Sequence, residues 1–289
     1  MLSFFIQLLS VSSLNNSQFI QEHNSKELSY QVEENQFFNH IYLNEFTNDT
    51  HNLFIRENND IITFENDSIV PISKDWRELD KVSSVKNQGS CGSCWSFSAT
   101  GSVESAWAIK NNILYNLSQQ ELIDCSTSYG NNGCEGGSMD QSFKYIIDYG
   151  LCLNLSYPYI GQESDCQKTQ CKSVVSIQSF KDIEHNDEKI LKRATAQQPV
   201  SIAIQANKRS FQFYKSGIYS DLDCGTQLDH GVLLVGYGYD LLQDMDYWIV
   251  KNSWGESWGE NGYIRLLRNV DDPKGLCGIA MQPSIPIVS

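Results

Sequence analysis

The first 69 residues contain no cysteine, glycine, proline or tryptophan, whereas all nine cysteines, nineteen glycines, six prolines and six tryptophans lie beyond them. So abrupt a change of composition marks a boundary near residue 70 and separates an Asn-rich leader from the region able to build a tight core. Positive charge is scarce throughout. The chain has 21 Lys and Arg against 35 Asp and Glu, and the leader alone carries 10 acids and 2 bases. With no basic stripe, nucleic-acid binding is not expected, and the acidity reads as a solvated surface. No stretch reaches about 18 uninterrupted apolar residues, so no membrane span is expected. The opening MLSFFIQLLSVSSL is an apolar run of signal-peptide length without a preceding Lys or Arg; residues 1–14 are read as a signal peptide. Sequons at Asn48, Asn66, Asn116 and Asn154 are compatible with secretion but arise readily by chance in an Asn-rich chain.

An odd count of nine cysteines suits an oxidising compartment with four disulfides and one thiol left over. Cys91 and Cys94 form a Cys-x-x-Cys, a spacing shared by redox pairs and zinc sites. The chain holds no second such pair, which argues against metal. A thiol–disulfide oxidoreductase would need both thiols free and a βαβ surround, and neither the odd count nor the flanks supply these.

Residues 94–114 have the pattern of a helix buried nearly all round, with Trp95, Ala99, Val103 and Ala106 on one stripe. Ser118-Gln-Gln-Glu121 reads as a capping box opening a second helix to Cys125, and 138–149 as a third. In the leader, 19–46 reads as helical on Val32, Phe37, Ile41 and Phe46. Short β-rich runs follow at 199–205, 231–239, 246–254 and 262–268, separated by Gly, Asp and Asn. Helices followed by strands predict an α+β protein of two lobes with a cleft between them.

A cysteine at a helix start has its thiolate stabilised by the dipole and by unpaired N–H groups, which makes Cys94 the candidate free thiol. A base is then required. Beyond residue 70 there are two histidines: His185, in the polar stretch IEHNDEKI read as a solvated loop, and His230, opening an apolar strand. Asn252 ends another strand beside tryptophans, and its amide could fix the imidazole tautomer while an indole excludes water.

QGSCGSCW, LDHGV and KNSWGESWG, in this order, resemble the papain-like cysteine proteases, nearest the cathepsin L branch, over 70–289. The resemblance implies a papain-like fold with a helical lobe at about 79–181 and a β-barrel-like lobe at about 182–289 plus 70–78. It implies a cysteine endopeptidase made as a zymogen, with Cys94 as nucleophile, His230 as base and acid, Asn252 as orienter, Gln88 as oxyanion donor and Trp254 as shield. It pairs Cys91 with Cys134, Cys125 with Cys166 and Cys224 with Cys277; a fourth bridge between Cys152 and Cys171 is a separate expectation. Gly136, Gly137 and Asp229 would contact substrate, and Met139, Ala203, Leu228 and Gln282 would line the pocket for the second residue before the scissile bond (P2). Such walls favour bulky hydrophobic or aromatic side chains over Arg.

Protein or peptide substrates, the chain's own prosegment and cystatin-like inhibitors are the partners implied, with no cofactor or metal and a monomeric state. Residues 15–69 resemble the family's inhibitory prosegment weakly. In its leader-helix signature Glu33, Asn44 and Asn52 match and Ile41 is tolerated, while Phe37 and Asn48 replace Arg and Ile. The link to a mature start at Val70-Pro71 is short. A lysosome, an acidic digestive vacuole or the extracellular space is the expected location. An inactive binding homologue is the remaining alternative, although Cys94, His230 and Asn252 are all present.

Overall fold

The computed structural model describes residues 16–40, 61–62 and 70–288. The leader contributes a helix over 16–24 (α1), a strand Tyr30–Val32 (β1), a helix Gln36–His40 (α2) and a strand Ile61–Ile62 (β2). The single helix expected over 19–46 is therefore broken, and 41–46 lie outside the described residues. The Asn24 side chain ends α1, donating to Val32 O at 2.8 Å and accepting Val32 N–H at 3.0 Å. That amide bridge turns the chain so that β1 can pair with a strand far along the sequence. Glu33, placed on a helix by the leader signature, instead lies between β1 and α2.

Strand β3 is Lys74–Asp75, and three helices follow: α3 at Cys94–Asn111, α4 at Gln119–Cys125 and α5 at Met139–Tyr149. Helix α3 is buried on almost every side up to Ala108, as its pattern predicts. Its serines make that burial tolerable by bonding outward to strands: Ser98 Oγ donates to Val232 O at 2.7 Å and Ser102 Oγ to Pro199 O at 3.1 Å. The capping box of α4 is half formed. Ser118 Oγ accepts Glu121 N–H at 3.0 Å, but the Glu121 carboxylate turns away to Cys152 N–H and the Tyr145 hydroxyl.

The later strands are β4 Ser179–Ile183, β5 Val200–Ile204, β6 Tyr214–Tyr219, β7 His230–Asp240, β8 Met245–Lys251, β9 Tyr263–Leu267 and β10 Ser284–Ile287. Helices α6 (Glu188–Gln197) and α7 (Arg209–Gln212) lie among them. The run read as a loop around His185 opens α6, whose N-cap Asp187 accepts from Lys189 and Ile190 N–H; His185 itself is exposed. Among the described residues the strands join in one sheet of order β1-β6-β9-β8-β7-β5-β10-β4-β2, with β3 against β7. Its two ends, the leader strands β1 and β2, do not pair, so the sheet is not closed. One apolar cluster centres on Trp248, Trp258 and Phe211 within this sheet, and another on Trp95, Phe143 and Leu122 between the helices.

A buried ionic hub ties three segments to α3. Glu104 of α3, with its side chain 1% exposed, accepts from Lys86 Nζ at 2.9 Å, Leu117 N–H at 2.8 Å and Ser83 Oγ at 2.5 Å. Lys251 of β8 donates to Ser83 Oγ at 3.0 Å. Burial pulls the Lys251 ammonium down to about 7, opposed by the Glu104 charge and reinforced by Lys86. Removing Glu104 would strand two cationic side chains and a backbone N–H, so Glu104→Ala is expected to lower stability by about 3–5 kcal/mol. Urea denaturation measures it; an unchanged midpoint would refute the hub.

Candidate active site

Cys94 is the first residue of α3 and the only unbridged cysteine; the structure joins Cys91–Cys134, Cys125–Cys166, Cys152–Cys171 and Cys224–Cys277. With Cys91 bridged, the Cys-x-x-Cys offers neither a dithiol nor a pair of metal ligands. Glu121 places a carboxylate close to Cys152 and Cys171, but both sulfurs are likewise bridged. The loop before α3 is held by the bond from Gly92 N–H to Cys134 O at 2.9 Å. A side chain at Gly92 would put its Cβ 2.3 Å from that carbonyl.

Strand pairing brings the remaining groups to the sulfur. β5 and β7 pair His230 with Ile204, and β7 and β8 pair Leu233 with Lys251, so His230 and Asn252 fall side by side at one end of the sheet. His230 Nε2 lies 2.7 Å from Asn252 Oδ1, which also accepts Ser253 N–H at 2.8 Å. An amide oxygen can only accept, so the ring nitrogen facing it is the protonated one. Trp254 stacks on the imidazole with centroids 4.7 Å apart. Gly231 N–H donates to Cys94 Sγ at 3.2 Å, bringing the strand that carries His230 against the start of α3.

Gln88 is fully buried. Its Nε2 donates to Cys91 O at 3.0 Å, and its Oε1 accepts the Ser253 hydroxyl at 2.6 Å. The expected substrate contacts divide into groups. Gly136 and Gly137 lie beside the Cys91–Cys134 bridge, Gly136 at φ 119°. Met139, Ala203 and the half-buried Leu228 share one apolar cluster, and Gln282 is half-buried. The Asp229 carboxylate accepts Ala206 N–H at 2.7 Å and borders a small recess with His230, Trp254, Gln212 and Phe38.

That leader phenylalanine was not foreseen at the site. Phe37 stacks on Trp254 at 5.2 Å and Phe38 meets its edge at 4.9 Å. β1 pairs with β6, Asn35 Nδ2 donates to Gln212 O at 2.9 Å, and Glu33 salt-bridges Lys215 at 2.7 Å. Leader residues 30–40 thus lie along the His230 side of the site. An aromatic pair in an otherwise polar leader was the available signal. Ser93, Tyr159 and Ser253, which brace Gln88 and Cys94, gave none.

In this covered state burial governs the ionisation. It pushes the Cys94 thiol up to about 11, against the N–H groups of Gly231 and Trp95, and pulls His230 down to about 4, against its bond to Asn252. Both groups are neutral between those values.

The comparisons with known proteins agree with this geometry. Residues 70–287 match the model of the papain family cysteine proteases, and the chain belongs to that family. "Probable cysteine protease RD21B" of Arabidopsis thaliana is 46% identical over 277 residues, covering 94% of this chain and 59% of the relative. A "Cathepsin L-like" protein of Caenorhabditis elegans is 52% identical over 222 residues, covering 76% and 65%. The chain thus spans about three fifths of the length of these relatives. The proform crystal structure of the ragweed pollen cysteine protease Amb a 11 superposes with a TM-score of 0.86 at 38% identity, covering 95% of this chain and 85% of that one. That superposition takes in part of the leader as well as residues 70–287.

The neutral pair predicts slow alkylation. Burial holds the Cys94 thiol well above its usual range, so little thiolate is present at pH 7. Iodoacetamide labelling of the intact, leader-bearing protein is expected to climb steadily from pH 7 to pH 10. Rapid labelling at pH 6, with the leader verified intact by mass, would show that the pair is ionised under the leader.

Proposed function

We propose that the chain is the zymogen of a cysteine endopeptidase in which Cys94 attacks the peptide carbonyl. The observation that carries this reading is the His230–Asn252 bond under Trp254, beside the one free thiol at a helix start. Asn252 engages Nε2, which leaves Nδ1 to exchange a proton with the sulfur. Once the leader withdraws and water enters, the desolvation that favours the neutral forms is relieved. The α3 dipole and the Gly231 N–H then favour the thiolate paired with an imidazolium. Sγ adds to the carbonyl carbon, and the oxyanion takes hydrogen bonds from Gln88 Nε2 and Cys94 N–H. His230 gives its proton to the departing amine, leaving a thioester. Water, deprotonated by His230, then adds to the thioester and expels the Cys94 thiolate.

The leader, 15–69, acts as the inhibitor of the mature domain, 70–289. Phe37 and Phe38 against Trp254, with β1 on β6, support this role. The mature domain divides into a helical lobe at about 79–181 and a sheet lobe at about 182–289 with 70–78. Met139, Ala203, Leu228 and Gln282 form the P2 pocket, and Gly136-Gly137 meets the extended substrate backbone. Nine cysteines with four bridges, and a leader docked as in a proform, support passage through the secretory pathway to an acidic or extracellular site, where the enzyme works as a monomer. Among the described residues no helix is long and apolar enough to cross a membrane.

Cys94→Ser is expected to abolish cleavage of an aromatic-Arg fluorogenic peptide by the processed enzyme; equal turnover would refute the mechanism. In a peptide library, Leu and Phe at P2 are expected to exceed Arg by about tenfold or more, since a buried apolar wall gives an Arg no partner. Preference for Arg would refute the pocket assignment.

A further inference from the structure

We propose that Tyr159 is a positioning residue that keeps the two oxyanion donors in register. The inference rests on the reading of Gln88 Nε2 and Cys94 N–H as those donors. They come from separate pieces of chain: Gln88 from an extended segment, Cys94 from the first turn of α3. A hole built from two segments works only if both are fixed relative to each other, because small misplacements of donors cost rate steeply.

The Tyr159 hydroxyl joins the two pieces. It donates to Gln88 O at 2.6 Å and lies 2.9 Å from Ser93 Oγ, the residue immediately before Cys94. A phenol has one proton, so with that proton on the Gln88 carbonyl the Ser93 hydroxyl is the donor of the second bond. The Tyr159 ring meets Phe97 of α3 edge-on at 5.0 Å, which fixes the direction of the hydroxyl. Burial pushes the phenol up to about 12, so it stays a donor at every pH at which a peptidase would be assayed.

Gln88 is held from the opposite side as well. Ser253 Oγ donates to Oε1 at 2.6 Å, and Gln88 N–H donates to Ser253 O at 2.8 Å. Ser253 therefore decides which end of the carboxamide is the donor, while Tyr159 decides where the segment sits against α3. In the covered state Nε2 rests on Cys91 O at 3.0 Å, within the loop that the Cys91–Cys134 bridge holds. No other hydroxyl bonds to both the Gln88 segment and the residue preceding the nucleophile among the described residues.

The test uses leader-free enzyme and three measurements: turnover of a peptide amide, affinity for a peptide aldehyde, and iodoacetamide alkylation of Cys94. The aldehyde forms a hemithioacetal whose oxygen needs the oxyanion donors; alkylation needs only the thiolate. Tyr159→Phe keeps the ring against Phe97 and removes the bridge. It is expected to lower kcat about tenfold and weaken the aldehyde by a similar factor, with KM and alkylation within about twofold. Gln88→Ala is the control for the reading itself and is expected to lose about 100-fold in kcat.

If Gln88→Ala falls and Tyr159→Phe does not, the positioning role is overturned and the oxyanion reading survives. If Gln88→Ala is unaffected, both are overturned. Parallel loss of turnover and alkylation in Tyr159→Phe would mean general disruption and also overturns the proposal. Should Tyr159→Phe fail to fold, Ser93→Ala removes the other arm of the bridge. It is expected to lower kcat and aldehyde affinity together by about threefold, with alkylation unchanged; no change in either would overturn the proposal.

Discussion

The structure depends on how closely α3 lies against β7. At Gly231 a side chain would place its Cβ 3.1 Å from Trp95 Cα and 3.3 Å from Cys94 C, and at Gly101 it would press on Leu233 at 2.9 Å. Glycine at both positions lets a helix from one half of the chain and a strand from the other approach at backbone distance. The Gly231 N–H reaches the Cys94 sulfur for this reason, and the neighbouring His230 is delivered with it. Any bulk at this contact would separate Cys94 from His230.

Around that contact the chain spends its buried polarity on alignment. Glu104 gathers Lys86, Ser83 and Leu117, and Lys251 joins through Ser83. Lys86 is two residues from Gln88, and Lys251 adjoins Asn252. The same few bonds therefore locate Gln88 and Asn252 against the helix that starts with Cys94. A hydrophobic core could pack these elements but would leave their sliding registers less constrained, because apolar contact is not directional.

Much of the site is legible in the sequence because it consists of short contiguous words. Cys94 at a helix start, His230 opening a strand and Asn252 closing the next are set by local pattern plus antiparallel pairing. The parts not legible are those made at long range by ordinary residues. Tyr159 is 71 residues from Gln88, and nothing local distinguishes it from any tyrosine after a proline. The leader misled for a different reason. Its apolar spacing fits a helix, but Asn24 takes hold of Val32 and the open edge of β6 supplies hydrogen bonds that a helix at 30–32 would forgo. Tertiary pairing overrode local periodicity there.

If the leader is released as proposed, the pairing of β1 with β6 also sets the state in which the remaining domain is left. β6 lies between β1 and β9 in the sheet, so losing the leader converts an interior strand into an edge. Backbone groups that the leader had satisfied then face solvent beside Tyr219 and Trp254, whose aromatic partners Tyr30, Phe37 and Phe38 have departed. Lys215, the second residue of β6, leaves an unpaired charge near the start of that edge once Glu33 is gone, a feature that discourages two such edges from zipping together. Release of the leader would thus create a new colloidal problem, and the same lysine that pairs with the leader would guard the surface left behind.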